Sequence, residues 1–450
     1  MPQFAEFGLI RSIRKWDLVA VTVNAVIGAG IFGLPSKVYG LVGSYSLPAV
    51  FLCGIFAAMI VLCFAEVGSR FTDTGGPYLY TREAFGPATG FTIGWLMWIA
   101  RITAFAANTS IMLSYLGLFW PAVTTGAVRA AVVCAVTLAL TTINLLGVRD
   151  VAVTTNILTV GKLAPLALLI AAGFFYLDIK SFSFVSIPAP AAFSSAMLLL
   201  VYAYTGFEIA VIPGAEIRDP RRDLPVALLT AIAVVAVFYI LIQIVCIGTL
   251  PGLSASDRPL AEAARRFLGQ PGAAIVSAGA VVSIAGNLNV VMLSASRLPF
   301  AMAVRGELPG ILAAVNKRFR TPHAAILLTS TLMAALTLSG TFLYAVTIST
   351  IARLLIYAAT CAALPVLRKR AAALPASFRV PAGMTVLFAV LLLTVSLLWN
   401  STWREGRDTA IAAAVGLMVY ALRPVRVGAV ADSSLASKSR PTSGSAYHQD

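Results

Sequence analysis

The chain has 450 residues, 59% of them hydrophobic and 11% charged, with a mean hydropathy of +0.90. A water-soluble domain carries about 25% charged residues, so this composition excludes a soluble fold and makes lipid the main solvent. The net charge of +15 does not point to nucleic acid, because the basic residues sit between apolar runs and not on one soluble face.

Residues 1–16 place basic side chains directly before the first apolar run and offer no small-residue cleavage site, so they read as a cytosolic N-terminus and not a removable signal. Apolar runs follow near residues 17–40, 45–68, 88–117, 128–147, 154–177, 192–214, 225–250, 272–300, 323–340, 343–367, 382–400 and 409–423. Each is on the order of the 20 residues that cross a bilayer. Each must be helical, because hydrocarbon leaves backbone N–H and C=O groups no partner outside the segment. The predicted fold class is therefore an all-α integral membrane protein with twelve spans.

Most of the 33 Lys and Arg fall in alternate connections and in the termini, as in Arg218, Arg221 and Arg222, in Lys317, Arg318 and Arg320, and in Arg368, Lys369 and Arg370. That asymmetry predicts a multi-pass cell-membrane protein with both termini in the cytosol. Residues 431–450 are Ser-rich and polar, and are expected to be a disordered tail without a role in transport.

The five cysteines lie inside apolar runs without metal-ligand spacing, and the two histidines are His323 and His448. No metal site, haem pair or hydrolytic triad is expected, and hence no cofactor. The phosphate-binding loop of an ATP-driven pump does not occur in the sequence. These absences argue against an enzyme and against a primary pump.

Two runs are interrupted by glycine: Gly28-Ala29-Gly30-Ile31-Phe32-Gly33 in the first span and Tyr204-Thr205-Gly206-Phe207-Glu208 in the sixth. Counted from the start of its run, each cluster begins about 11 to 14 residues in, near the membrane midplane at about 1.5 Å per residue. Small residues can serve only close helix packing. A matched pair in two halves of opposite topology is, however, the sequence pointer to a carrier's binding site. Where a helix breaks, its second half presents bare N–H groups and its first half bare carbonyls. A zwitterion fits between them, with its carboxylate on the amides of Ala29, Gly30 and Ile31 and its ammonium on carbonyls of Val26, Tyr202 and Thr205. The match of residues 28–33 to the G-x-G-x-x-G dinucleotide fingerprint is rejected, because that motif needs a preceding strand and a soluble βαβ unit.

Val26 to Pro35, Gly75-Gly76-Pro77-Tyr78 with Phe85-Gly86, and Tyr204 to Glu208 leading to Ala215-Glu216 and Asp219-Pro220 together resemble the amino acid, polyamine and organocation (APC) superfamily. Arg297, Gly306-Glu307-Leu308-Pro309 and the stretch from Arg353 to Arg370 extend the resemblance. It implies a leucine-transporter-like fold: residues 17–177 and 192–367 as inverted repeats of five spans, residues 382–423 as two further helices, and spans one and six discontinuous. It implies amino acid binding at both breaks, by Val26, Gly28, Ala29, Gly30, Ile31, Tyr202, Thr205, Gly206 and Phe207. Asn287, a polar residue in the eighth apolar run, is read separately as cavity lining. Relatives with serine beside the first glycine use its hydroxyl, and this chain has Ala29. Tyr202 stands where some exchangers carry an aromatic gate.

Three of the charges within apolar runs have specific expected roles. Lys162 resembles the fifth-span lysine that, in sodium-independent members, occupies the place of a bound sodium. It is expected to pin the first break, to act in coupling and to argue against sodium coupling, the alternative being a lysine that snorkels toward the interface. Glu208 follows the second break and must be protonated, paired or wet, since an ionised carboxylate there costs on the order of 3 kcal/mol. Family exchangers of cationic substrates carry Glu here, which implies a proton-coupling or substrate-amine role, the alternative being a structural hydrogen bond to the unwound backbone. Arg101 cannot lose its proton. It is expected to neutralise Glu208, the alternative being that it faces the cavity, where it would disfavour cationic cargo. Asn24, Asn108 and Asn289 read as interhelical hydrogen-bonders, and Arg297 and Arg353 as anchors near helix ends.

The expected function is secondary active transport of amino acids by alternating access, by proton coupling or exchange. A polyamine or cationic amino acid exchanger is the alternative, and a transport-dead sensor or a channel the alternative of another class. The expected partners are the amino acid substrate and the lipid bilayer, with no nucleic acid and a homodimer left open.

Overall fold

The computed structural model describes residues 14–71, 75–146, 151–211, 217–370 and 375–422, without the side chains of residues 151–161, 220 and 221. Ala215 and Glu216 of the family motif, residues 1–13 of the N-terminus and the tail from 431 lie outside the described residues. Among those residues the architecture is helical throughout. In chain order come α1 (Lys15–Val26), α2 (Ala29–Val42), α3 (Ser46–Gly68), α4 (Pro77–Phe85), α5 (Pro87–Leu116), α6 (Gly126–Leu146) and α7 (Val151–Gly173). They are followed by α8 (Pro190–Ala203), α9 (Pro220–Thr249), α10 (Pro259–Val304), α11 (His323–Ser339), α12 (Phe342–Lys369), α13 (Gly383–Trp399) and α14 (Trp403–Ala421).

Local chemistry sets many of these boundaries. Helices α4, α5, α8, α9 and α10 open on proline, whose fixed φ suits the first turn and whose missing N–H is not needed there. Helix α14 opens on a capping box in which Thr402 and Glu405 satisfy each other's backbone N–H groups. Within α10 the chain turns sharply at Gly269, at φ +66°, separating a short helix from the long one that continues to Val304.

By length and apolarity, seven helices among the described residues can cross a membrane. Helices α13 and α14, bent by 114° where they join, form a further pair. Together they make a multi-pass integral membrane protein. The apolar side chains that face lipid, such as Phe51, Leu138, Phe388 and Leu392, remain exposed, as a hydrocarbon solvent allows.

Two groups of helices face each other. In one, α3 packs on α9 and α8, α1 on α9, and α2 on α8. In the other, α5 packs on α10 and α11, and α6 on α11 and α10. Helix α12 touches both α3 and α5, and α2 touches both α5 and α10, so these two helices close the space between the groups.

Candidate functional site

The site lies in that space and is built around two departures from helical geometry. Helix α1 ends at Val26 and α2 begins at Ala29, with Gly28 extended at φ −113° and ψ −151° and no side chain capping it. The first N–H groups of α2 have no partner within the helix. On the other side, α8 ends at Ala203, Gly206 takes the left-handed conformation at φ +115°, and a short turn of 3-10 helix spans Phe207–Ile209. Glycine is required at 206. An added Cβ would stand 2.4 Å from the Ala25 carbonyl oxygen, and the positive φ is strained for any L side chain.

The two breaks touch. A Cβ on Gly30 would come within 2.8 Å of the Ala203 Cα, so the start of α2 and the end of α8 meet backbone to backbone. The Tyr239 hydroxyl of α9 donates to the Ala203 carbonyl at 2.8 Å and lies 3.2 Å from the Val26 carbonyl, reaching both helix ends at once.

The Lys162 ammonium of α7 sits behind the first break, donating to the carbonyls of Asn24 at 2.8 Å and Ile27 at 2.6 Å and to the Asn24 side chain at 2.6 Å. It thereby fills acceptors that the end of α1 leaves open, at 1% exposure.

One cavity is bordered by Val26, Gly28, Ala29 and Gly30 from the first break and by Tyr202, Thr205 and Gly206 from the second. Asn287 of α10 also borders it, with its amide against Gly28. Ile31 and Phe207 are buried but do not border this cavity. The Phe207 ring packs edge-on to Phe64 and beside Tyr357. A hydrogen-bonded chain crosses the cavity from the Tyr202 hydroxyl to the Asn108 side chain at 2.9 Å, and from the Asn108 amide to Asn287 at 2.7 Å.

Three expectations need correction. First, the direct ion-pair partner of Glu208 is not Arg101. It is Arg353, with Nε 3.3 Å from Glu208 Oε1, while Oε2 accepts from the Gly206 N–H and the Tyr357 hydroxyl, each at 2.8 Å. Second, Arg353 is not an anchor near a helix end. It lies in the middle of α12 at 7% exposure, donates to the Thr205 hydroxyl and stands over the Tyr202 ring, 5.9 Å from its centre. Third, the Tyr202 carbonyl is not bare, because it accepts from the Thr205 N–H at 3.2 Å and from its hydroxyl at 2.7 Å. The Val26 carbonyl is likewise engaged, by the Gly28 N–H at 2.8 Å and by Tyr239.

Arg101 borders this cavity and also an adjoining smaller one formed with Met97, Glu208, Arg353 and Tyr357. Sequence reasoning passed over Tyr357 and Asn108 as site residues. Tyr357 follows Arg353 by four positions and so shares its helix face. That spacing was a usable signal.

Bare amides at one helix start, an asparagine amide and a buried arginine can together receive an anionic or strongly accepting solute in a lipid-shielded chamber. A chamber between two helix groups of a multi-pass protein, bordered by the two helix breaks, is an arrangement suited to a membrane transporter. Residues 13–420 match the amino acid permease family, and the chain belongs to it. It is a transporter and not an enzyme, in keeping with the family resemblance of its motifs.

The chain is 29% identical to the methylthioribose transporter of Bacillus subtilis (strain 168) over 346 residues, covering 72% of this chain and 74% of that protein. It is 31% identical over 332 residues to the serine/threonine exchanger SteT of the same organism, covering 71% and 74%. With that organism's putative arginine/ornithine antiporter the identity is 26% over 351 residues, covering 70% and 74%.

Proposed function

We propose that the chain is a sodium-independent secondary transporter that carries amino acids by alternating access, holding the substrate backbone between the two breaks. The observation that carries this reading is the single cavity that Gly28, Ala29 and Gly30 share with Thr205 and Gly206. The substrate carboxylate lies on the first amides of α2, where the helix dipole and bare N–H groups favour an anion. The ammonium lies on the side of Thr205. Asn287 supplies an amide donor beside Gly28.

Twelve crossings and an inverted repeat belong to the same proposal. In a repeat of five, α1 with α2 corresponds to α8, α3 to α9, α5 to α10 and α6 to α11. The packing supports this, since α2 packs on α8, α3 on α9, α5 on α10 and α6 on α11, as elements related by a pseudo-two-fold axis would. The basic connections support cytosolic termini in a cell membrane.

Sodium independence is supported by Lys162, whose ammonium already occupies the carbonyls of Asn24 and Ile27. Exchange is favoured over proton symport by relatives named as an exchanger and an antiporter. The test is uptake of labelled amino acids and polyamines into proteoliposomes, with sodium, pH gradient and internal amino acid varied. The reading predicts saturable amino acid uptake that needs no sodium and is accelerated by internal substrate. Single-channel currents, or binding without uptake, would replace it with a channel or a sensor.

A further inference from the structure

We propose that the preferred cargo is an amino acid whose side chain carries a carboxylate, and that Arg101 is the residue that receives it. The inference deepens the transport reading above and rests on it.

Arg101 is 3% exposed, in the middle of α5. Its Nη1 donates to the Ser294 hydroxyl at 2.8 Å, while Nη2 is buried without a partner among the described residues. A guanidinium keeps its proton, and an unpaired ionised group within a membrane is costly. Such a group persists where a ligand completes it.

The charges around the two adjoining cavities make the same point. They are bordered by Arg101, Arg353 and Glu208, so two positive charges face one negative. Among the described residues, the direct contacts of Glu208 all go to groups other than Arg101. Its Oε1 is held by Arg353, and its Oε2 by the Gly206 N–H and the Tyr357 hydroxyl. Lys162 lies behind the first break and borders neither cavity.

One positive charge is left over. A neutral amino acid leaves it in place, a cationic one doubles it, and an acidic one, with a net charge of −1, cancels it. Arg101 borders the same cavity as Gly28, Ala29 and Gly30. A substrate backbone on those amides therefore shares its cavity with the Arg101 side chain. Carboxylate on guanidinium is a charge-assisted pair of the strong kind.

The test uses the full chain in sodium-free proteoliposomes, comparing glutamate and aspartate with their uncharged isosteres glutamine and asparagine, and with arginine. The acids should be taken up with kcat/KM about 10-fold or more above the amides, because a site built for a charged partner rejects an isostere that leaves it unpaired. Arg101→Gln should bring that ratio to about one, and Arg101→Lys should keep part of it. A purely structural role would lower uptake of acid and amide together and leave the ratio unchanged.

Should Arg101→Gln fail to fold, the wild-type ratio decides, together with the thermal stabilisation of purified wild-type protein by glutamate relative to glutamine. A wild-type preference for amides or for arginine overturns this inference and leaves amino acid transport standing. A ratio of one with uptake that needs chloride assigns Arg101 to an inorganic anion and overturns it too. No uptake of any amino acid removes the transport reading and this inference together.

Discussion

Glu208 and Arg353 meet at 3.3 Å with side chains 6% and 8% exposed, one on the turn after α8 and the other in the middle of α12. Removing one partner of such a pair strands the other charge in a lipid-shielded interior. Glu208→Gln or Arg353→Met should each cost about 3–5 kcal/mol of stability. The double variant should cost clearly less than the sum, because it strands nothing. Thermal or denaturant unfolding of the four proteins in detergent reads this coupling, and strictly additive losses would show that the pair is not an energetic unit.

Lys162 satisfies two main-chain carbonyls and one side-chain oxygen at the end of α1. Lys162→Met leaves these acceptors without their donor, and each buried orphan costs about 1–3 kcal/mol. The expected outcome is a lower melting temperature and loss of amino acid uptake at every pH tested. Uptake that matches the wild type across the pH range would remove Lys162 from the mechanism.

The two glycines that flank the cavity should respond differently to a methyl group. Gly206→Ala meets the Ala25 carbonyl oxygen at 2.4 Å in a left-handed backbone and should yield little folded protein. Gly28→Ala meets the Asn287 amide at 3.4 Å, an ordinary contact, from an extended backbone. It should fold, with a raised KM as its main defect, because its methyl enters the cavity. Monodispersity on size exclusion, followed by uptake kinetics, separates the two.

Glu66 ties three segments together, accepting from Arg368 at 2.8 and 2.6 Å, from Arg70 at 2.9 Å and from the Val380 N–H at 2.8 Å. Glu66→Ala removes the fully buried carboxylate that both arginines share at the ends of α3 and α12 and should cost about 3–5 kcal/mol. Asp257→Asn, by contrast, breaks the Lys37–Asp257 pair where Asp257 is 78% exposed, and should change stability by about 0–1 kcal/mol. Equal effects at the two sites would contradict the difference in burial.

The helical membrane architecture was legible because the bilayer forces apolar runs into helices, and the glycine clusters were legible because glycine is out of place within such runs. The partner of Glu208 was not. Arg353 stands as deep in its apolar run as Arg101 does, and only the packing of α12 against α8 decides which guanidinium reaches the carboxylate. Nor could the sequence say which helix-end carbonyls stay bare. Thr205 closes the Tyr202 carbonyl with its own N–H and hydroxyl, a local turn whose geometry depends on Gly206 lying left-handed. The placement of Lys162 on Asn24 and Ile27 came through family resemblance, since spacing alone does not tell a pinning lysine from a snorkelling one.

The central claim, that substrate sits on the first amides of α2, is tested most directly by thiol protection at Ala29. The background is Cys134→Ser, because Cys134 is exposed while the other four cysteines are buried. In reconstituted Ala29→Cys protein, a transported amino acid should slow modification by a small thiol reagent, half-maximally at its KM. A modification rate unchanged by saturating substrate would contradict the account.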